Sequence, residues 1–234
     1  MSDINRINEL VGEKEFEKAQ ELIEPALKEE PDNKELLKLA GLTFVNLDEW
    51  EKACICFETV VKYSPADASS WFYLASCYDN LNDLISAKNA YTTVIGLREN
   101  YIEAYKSLCV VLMKLNEPEE AINYAAKANE IEPDDYLFDF IVGTSYMKLK
   151  EFEKSIEPFL SALRKSPDNI GTYNSLGTAY IATGRSDEAI KTYQKVLELK
   201  PNDAMAYFNI GSSFQIQQKH AEACEYLKKA VELD

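Results

Sequence analysis

Five prolines, Pro31, Pro65, Pro133, Pro167 and Pro201, stand on one lattice with a 34-residue spacing, which only Glu99 breaks. Two residues after each comes an Asx residue: Asn33, Asp67, Asp135, Asn169 or Asp203. Proline lacks an amide hydrogen and crowds the preceding turn, so it closes a helix. The Asx side chain accepts from the exposed amides that follow and opens the next helix. A stop and a start repeated at one period constrain the chain to a series of like helical repeats. At the seam of Glu99 and Tyr101 both marks are missing. That junction is expected to be the least locally specified, with an uncapped, frayed or continuous helix, or with Asn100 as a substitute cap.

A second pattern rides on the same lattice. Gly41, Ala75, Cys109, Gly143, Gly177 and Gly211 fall on first helices. Ala19, Ala53, Ala87, Ala121, Ser155, Ala189 and Ala223 fall on second helices. Small opposite small is expected to let two backbones approach closely. Phe44, Tyr78, Leu112, Tyr146, Tyr180 and Phe214 on first helices, with Phe57, Tyr91, Phe159, Tyr193 and Leu227 on second helices, supply the large core residues. Most of the 14 Tyr and 10 Phe are thereby read as packing. Pro25 and Pro158 fall inside second helices, where each removes a backbone hydrogen bond.

The repeats run over about 1–33, 34–67, 68–101, 102–135, 136–169, 170–203 and 204–234. In the first, Asp3 and Arg6 stand where later repeats place core residues, as suits a terminal cap with a wet outer face. The last keeps Tyr207, Ile210, Gly211, Phe214, Ala223 and Ala230 and offers no polar outer face. Its bare end is expected to be covered, either by chain beyond Asp234 or by a second copy.

Charge and motif content narrow the function. A net charge of −15 opposes binding to nucleic acid or anionic lipid. No apolar run is long enough to span a bilayer, and the first residues lack the basic and apolar regions of a signal peptide, so the default location is cytoplasmic. The five cysteines are odd in number and scattered, which argues against a disulfide framework. His220 is the only histidine, and no phosphate loop, H-E-x-x-H or G-x-S-x-G occurs. No enzyme, cofactor or metal is expected of these residues.

The stretch Ile170–Asp203, with Tyr173, Leu176, Gly177, Tyr180, Ala189, Tyr193, Val196 and Pro201, resembles the tetratricopeptide repeat. The resemblance extends over the whole chain. It implies an all-α, right-handed α-solenoid of seven helix–turn–helix repeats in a single domain, 1–234. It further implies a protein- or peptide-binding scaffold whose first helices line a concave groove. The lattice positions facing that groove give Leu39, Leu42, Phe72, Tyr73, Lys106, Val110, Met113, Lys114, Phe140, Ile141, Met147, Lys148, Met205, Phe208 and Asn209 as candidate contacts.

Two specialisations of the family are absent. No three consecutive repeats carry the Lys and Asn clamp of chaperone-binding members. The Asn ladder of sugar-transferase members is replaced by Leu39, Tyr73, Ser107, Ile141, Ser175 and Asn209. An apolar groove with some lysine remains. Phe72, Phe140 and Phe208 recur at one position in alternate repeats, where they either grip a partner or pack against neighbouring first helices. Lys106, Lys114 and Lys148 make a local positive patch, so a segment with apolar anchors and some acidic residues is the expected ligand. An arm of a larger enzyme, or a homo-oligomerisation module, are the alternatives.

Overall fold

The computed structural model describes residues 3–233. Among them are fourteen helices and no strand. The first helices of successive repeats are α1 (Asp3–Gly12), α3 (Lys34–Asn46), α5 (Ala68–Asn80), α7 (Ile102–Lys114), α9 (Tyr136–Lys148), α11 (Ile170–Ala182) and α13 (Ala204–Ile216). The second helices are α2 (Phe16–Glu29), α4 (Trp50–Tyr63), α6 (Leu84–Leu97), α8 (Pro118–Ile131), α10 (Phe152–Lys165), α12 (Ser186–Leu199) and α14 (His220–Leu233). The expectations placed on the Asp3 side chain and on Asp234 lie outside the described residues.

The chain divides into two compact units, Met1–Leu115 and Asn116–Asp234. In the first, α1 to α7 pack sequentially around Ile7, Ile23, Leu36, Phe44, Phe57 and Leu74. In the second, α8 to α14 do the same, with a core that includes Phe159, Leu176, Tyr193 and Ile210. Each unit is a stack of three helical hairpins with one further helix, α7 in the first and α8 in the second, the arrangement of an α-solenoid.

The Asx residues cap as expected. Asn33 Oδ1 accepts from the amides of Glu35 and Leu36 at 3.1 and 3.2 Å. Asp67, Asp135, Asn169 and Asp203 accept from Ser70, Leu137, Thr172 and Ala206. Burial pushes the Asp67 carboxyl up, but hydrogen bonds from Lys38 and Ser70 outweigh it and hold the group below its ordinary value. This cap therefore contributes stability at neutral pH and loses it as pH falls through the carboxylate range.

The seam that lacks both marks has another solution. Neither Tyr101 nor Asn100 gives α7 a side-chain cap; Tyr101 holds the N-cap position without such a bond. Instead its ring stacks on Phe72 at 5.2 Å and 24°, and the Arg98 guanidinium lies over the Tyr101 ring at 5.2 Å. Aromatic packing replaces local capping there. Pro25 and Pro158 both sit inside continuous helices.

The turn inside each hairpin carries a third lattice. Lys14, Asp48, Asn82, Asn116, Lys150, Gly184 and Gln218 all adopt a left-handed backbone, with φ between 58° and 75°. In the second repeat the Glu49 amide returns to the Phe44 carbonyl at 2.8 Å, and Arg185 returns to Tyr180 likewise at 2.8 Å. This six-to-one bond is the Schellman closure, which requires a left-handed residue just after the helix.

The small residues of the first helices act differently from the sequence reading. A Cβ built on Gly41 would come within 2.6 Å of the Phe57 ring, and one on Gly143 within 2.6 Å of Phe159. On Gly177 it would meet Tyr193 at 2.5 Å, and on Gly211 the Leu227 side chain at 2.7 Å. The glycine thus makes room for a large side chain of the second helix, rather than for the backbone opposite the small Ala or Ser. In the first repeat Ile7 takes the glycine's place and Ile23 that of the ring, and both are fully buried.

Replacing Gly177 with Ala is expected to cost about 1–3 kcal/mol by overpacking against Tyr193. Gly96, in α6, has nothing within 4 Å of an added Cβ. Gly96→Ala should instead stabilise by about 0.5–1 kcal/mol through helix propensity. Urea unfolding of both variants checks the contrast.

Candidate protein-binding surface

In unit 1 the first-helix row is built from α3, α5 and α7. Leu39 is buried in the hairpin core, while Leu42 and Met113 are half-buried and Val110 is 44% exposed. Tyr73 lies stacked on Phe57 at 5.3 Å. Phe72 is enclosed by rings, meeting Tyr73, Tyr91 and Tyr101 at 6.0, 5.7 and 5.2 Å. Its aromatic surface is therefore occupied within the unit.

The lysines of this row are opposed by carboxylates. Lys114 Nζ donates to Asp79 Oδ1 at 2.6 Å, and Lys106 pairs with Glu103 at 3.7 Å. Lys38 pairs with Asp67. The positive patch read from Lys106, Lys114 and Lys148 is thus neutralised at its first two members, because Asp79 of α5 and Glu103 in the first turn of α7 lie on the same inner face and pair with them. Lys148 belongs to the other unit and is exposed.

In unit 2 the row comprises α9, α11 and α13. Ile141 is buried, Met147 and Asn209 are half-buried, and Phe140 packs on Phe159 at 5.9 Å. Thr178 on α11 donates to the Asn174 carbonyl at 2.9 Å and lies 3.3 Å from the Tyr193 hydroxyl. Asn174 Oδ1 is shielded from solvent and meets no donor among the described residues. Met205 and Phe208 are 62% and 51% exposed, but they line a groove with Leu227 and Val231 at the end of the stack.

One polar cluster escaped the sequence reading. Lys165 Nζ lies 2.6 Å from Asp139 Oδ2 and 2.8 Å from Asn129 Oδ1, and Ser161 donates to Asp139 at 2.9 Å. It ties α8, α9 and α10 together with the Lys165 and Asp139 side chains only 17% and 13% exposed. A signal was present. Asn129 stands where other repeats have Leu27, Val61, Ile95, Leu163, Leu197 and Val231. Asp139 replaces Leu37, Trp71, Tyr105, Tyr173 and Tyr207, and Lys165 replaces Tyr63, Leu97, Ile131 and Leu199. Three apolar positions have been exchanged together at a single seam.

The cysteines offer little chemistry. Cys54, Cys56, Cys77 and Cys109 are buried free thiols, whereas Cys224 is exposed. Burial pushes the Cys54, Cys77 and Cys109 thiols up to about 12 and Cys56 up to about 11. At neutral pH these four are protonated and poor nucleophiles. Among the described residues no group of three or more His, Cys, Asp or Glu could hold a metal, and no helix is long and apolar enough to cross a membrane.

Comparison with known proteins agrees with this architecture. Family models described as tetratricopeptide repeat or TPR repeat match residues 110–170, 159–191, 177–218 and 204–234. A model described as ChAPs (Chs5p-Arf1p-binding proteins) matches residues 4–94. The peroxisomal targeting signal receptor of Saccharomyces cerevisiae is 30% identical over 84 residues, which are 36% of this chain and 14% of that receptor. A crystal structure of MamA is 26% identical with a TM-score of 0.66, covering 68% of this chain and 94% of MamA. A crystal structure of YrrB, described as a TPR protein with an unusual peptide-binding site, is 21% identical with a TM-score of 0.65, covering 76% of this chain and 92% of YrrB. With the helical hairpins, caps and turns described above, the chain belongs to the tetratricopeptide repeat family.

Two outcomes follow from the side chains just described. Asp139→Ala strands Lys165 and is expected to destabilise by about 2–3 kcal/mol, below the full cost of a wholly buried pair. Restoring the pattern of the other repeats, with Asn129→Leu, Asp139→Tyr and Lys165→Leu together, should instead raise stability by about 1 kcal/mol or more. Denaturant midpoints compare the two. For the thiols, a native chain should react with a mole equivalent of aromatic disulfide reagent at Cys224 alone, and all five should react after unfolding.

Proposed function

We propose that this chain is a non-enzymatic, cytoplasmic protein-interaction scaffold whose first helices receive an extended or helical peptide segment. The observation that carries the reading is the run of apolar side chains left open on those helices after the hairpin cores are filled. Val110 in unit 1 and Ile216 in unit 2 are the most open, flanked by the half-buried Leu42 in unit 1 and Met147 and Ile181 in unit 2. Val110 and Ile216 are 44% and 59% exposed. Met is adaptable to varied partner side chains.

The relatives support a protein partner in general terms. The yeast protein is named for receiving a targeting signal, the YrrB structure for a peptide-binding site, and the ChAPs family for binding two proteins. A cytoplasmic setting accords with five free cysteines, four of them buried. The neutralised lysines shift the expected ligand from an acidic segment toward one recognised through apolar anchors.

Peptides selected from a random display library on the intact chain test the reading. Val110→Glu or Ile181→Glu should weaken a selected peptide by roughly tenfold or more, the effect of losing a buried anchor. Ile85, on second helix α6, is 57% exposed. Ile85→Glu should leave affinity unchanged. Peptides that respond to Ile85→Glu and ignore both first-helix variants would overturn the proposal.

A further inference from the structure

Helix α11 packs against both α10 and α12, and in unit 2 these two second helices leave a groove of about 390 Å³ between them. That volume falls within the range of ligand pockets, about 300–1,000 Å³. Its apolar lining comes from Leu160 and Leu163 of α10 and from Tyr173 and Leu176 of α11. Its charged lining is Arg164 of α10 with Lys191 and Lys195 of α12, and among the described residues no acid lines it. None of these side chains belongs to the first-helix row invoked for peptide binding.

The charge is particular to this seam. At the same second-helix positions the other seams inside the two units all carry acids. Between α2 and α4 these positions hold Glu24 with Lys28, and between α4 and α6 they hold Glu58 with Lys62. The seam of α8 and α10 has Glu130 and Glu157, and that of α12 and α14 has Glu198 and Glu225 against Lys229. Among these seams, cations without an acid occur only between α10 and α12, in a chain of net charge −15.

The cations are open to a partner. Lys191 is exposed and has no ion-pair partner among the described residues. The two acids one turn before it are engaged elsewhere: Glu188 accepts from Arg185 at 2.9 Å, and Asp187 accepts from Gln217 at 2.7 Å. Arg164 and Lys195 hold Glu157 and Glu198 at 2.8 and 2.6 Å, but every side chain in those two pairs is more than half exposed. Exposed pairs of this kind contribute little and yield to an incoming carboxylate. Charge and lining together select the occupant: acids for the rim and an apolar anchor for the leucines and tyrosine between them. A long polyanion such as nucleic acid fits less well, because the chain as a whole repels it.

We propose that the α10–α12 groove is a second docking site, which takes an acidic peptide segment of a partner protein. One Leu, Phe or Trp of that segment seats on Leu163 and Tyr173, and flanking Asp or Glu carboxylates meet Arg164, Lys191 and Lys195. The test selects on the intact 234-residue chain from a display library in which a single Leu, Phe or Trp is flanked by Asp, Glu, Ser and Gly. Fluorescence anisotropy then follows a labelled selected peptide. Lys191→Glu combined with Lys195→Glu should weaken it by roughly tenfold or more while circular dichroism stays unchanged. Lys228→Glu combined with Lys229→Glu, an equal charge change on α14, should leave affinity unchanged. Val110→Glu should leave it unchanged too, so this reading and that of the first-helix row fail independently. Replacing the acids of the peptide with Asn and Gln should abolish binding. Failure of any peptide to enrich, or indifference to the Lys191 and Lys195 changes, would overturn the proposal. So would equal weakening by the α14 changes or by Val110→Glu, or equally tight binding of single-stranded DNA of the same charge.

Discussion

Most of these hairpins depend on a large side chain of the second helix sitting over a small residue of the first; the first repeat has Ile7 and Ile23 at those places and the fourth Cys109 and Ala125. Phe57 over Gly41, Phe159 over Gly143, Tyr193 over Gly177 and Leu227 over Gly211 leave no room for even one methyl group. Such a contact is short-range and steep, so it fixes the rotation of one helix against the other. Once that rotation is set, each first helix has one side in the hairpin, one side against the preceding repeat, and one side left over. The leftover side is where Leu42, Val110, Met147 and Ile181 emerge. The binding surface is thus a by-product of the packing that makes the repeat.

Much of this was legible in advance, for reasons that differ residue by residue. Proline and Asx act locally, so the caps at Asn33, Asp67, Asp135, Asn169 and Asp203 followed from residue type alone. The glycines were found, but their partner was misassigned, because a list of positions does not say which of two second-helix residues points at them. The left-handed turns were invisible: Gly184, Asn82 and Asn116 suit that backbone, whereas Lys14, Lys150 and Gln218 hold it against their preference. The hairpin's closing hydrogen bond imposes it there.

The candidate site was legible less completely, because its residues are sorted by neighbours in the next repeat. Phe72 and Phe208 share a lattice position, yet Tyr101 covers one and nothing in the described chain covers the other. Leu39 and Ile141 lie on the predicted inner face but turn into the hairpins. The lysines could be counted, whereas the acid facing Lys114 comes from the neighbouring first helix at Asp79. Departures from the lattice carry the individuality of the chain: rings at the Tyr101 seam and the Asn129–Asp139–Lys165 cluster at another. A polar cluster inside an apolar seam costs stability relative to apolar residues of similar volume.

The central claim is that a partner lies along the side of the first helices that packing leaves free. Amide hydrogen exchange of the chain, alone and saturated with a selected peptide, measures this directly. Added protection concentrated in α3, α5 and α7, or in α9, α11 and α13, with the second helices unchanged, is the predicted result. Protection confined to second helices such as α4, α6, α10 and α12 would contradict it.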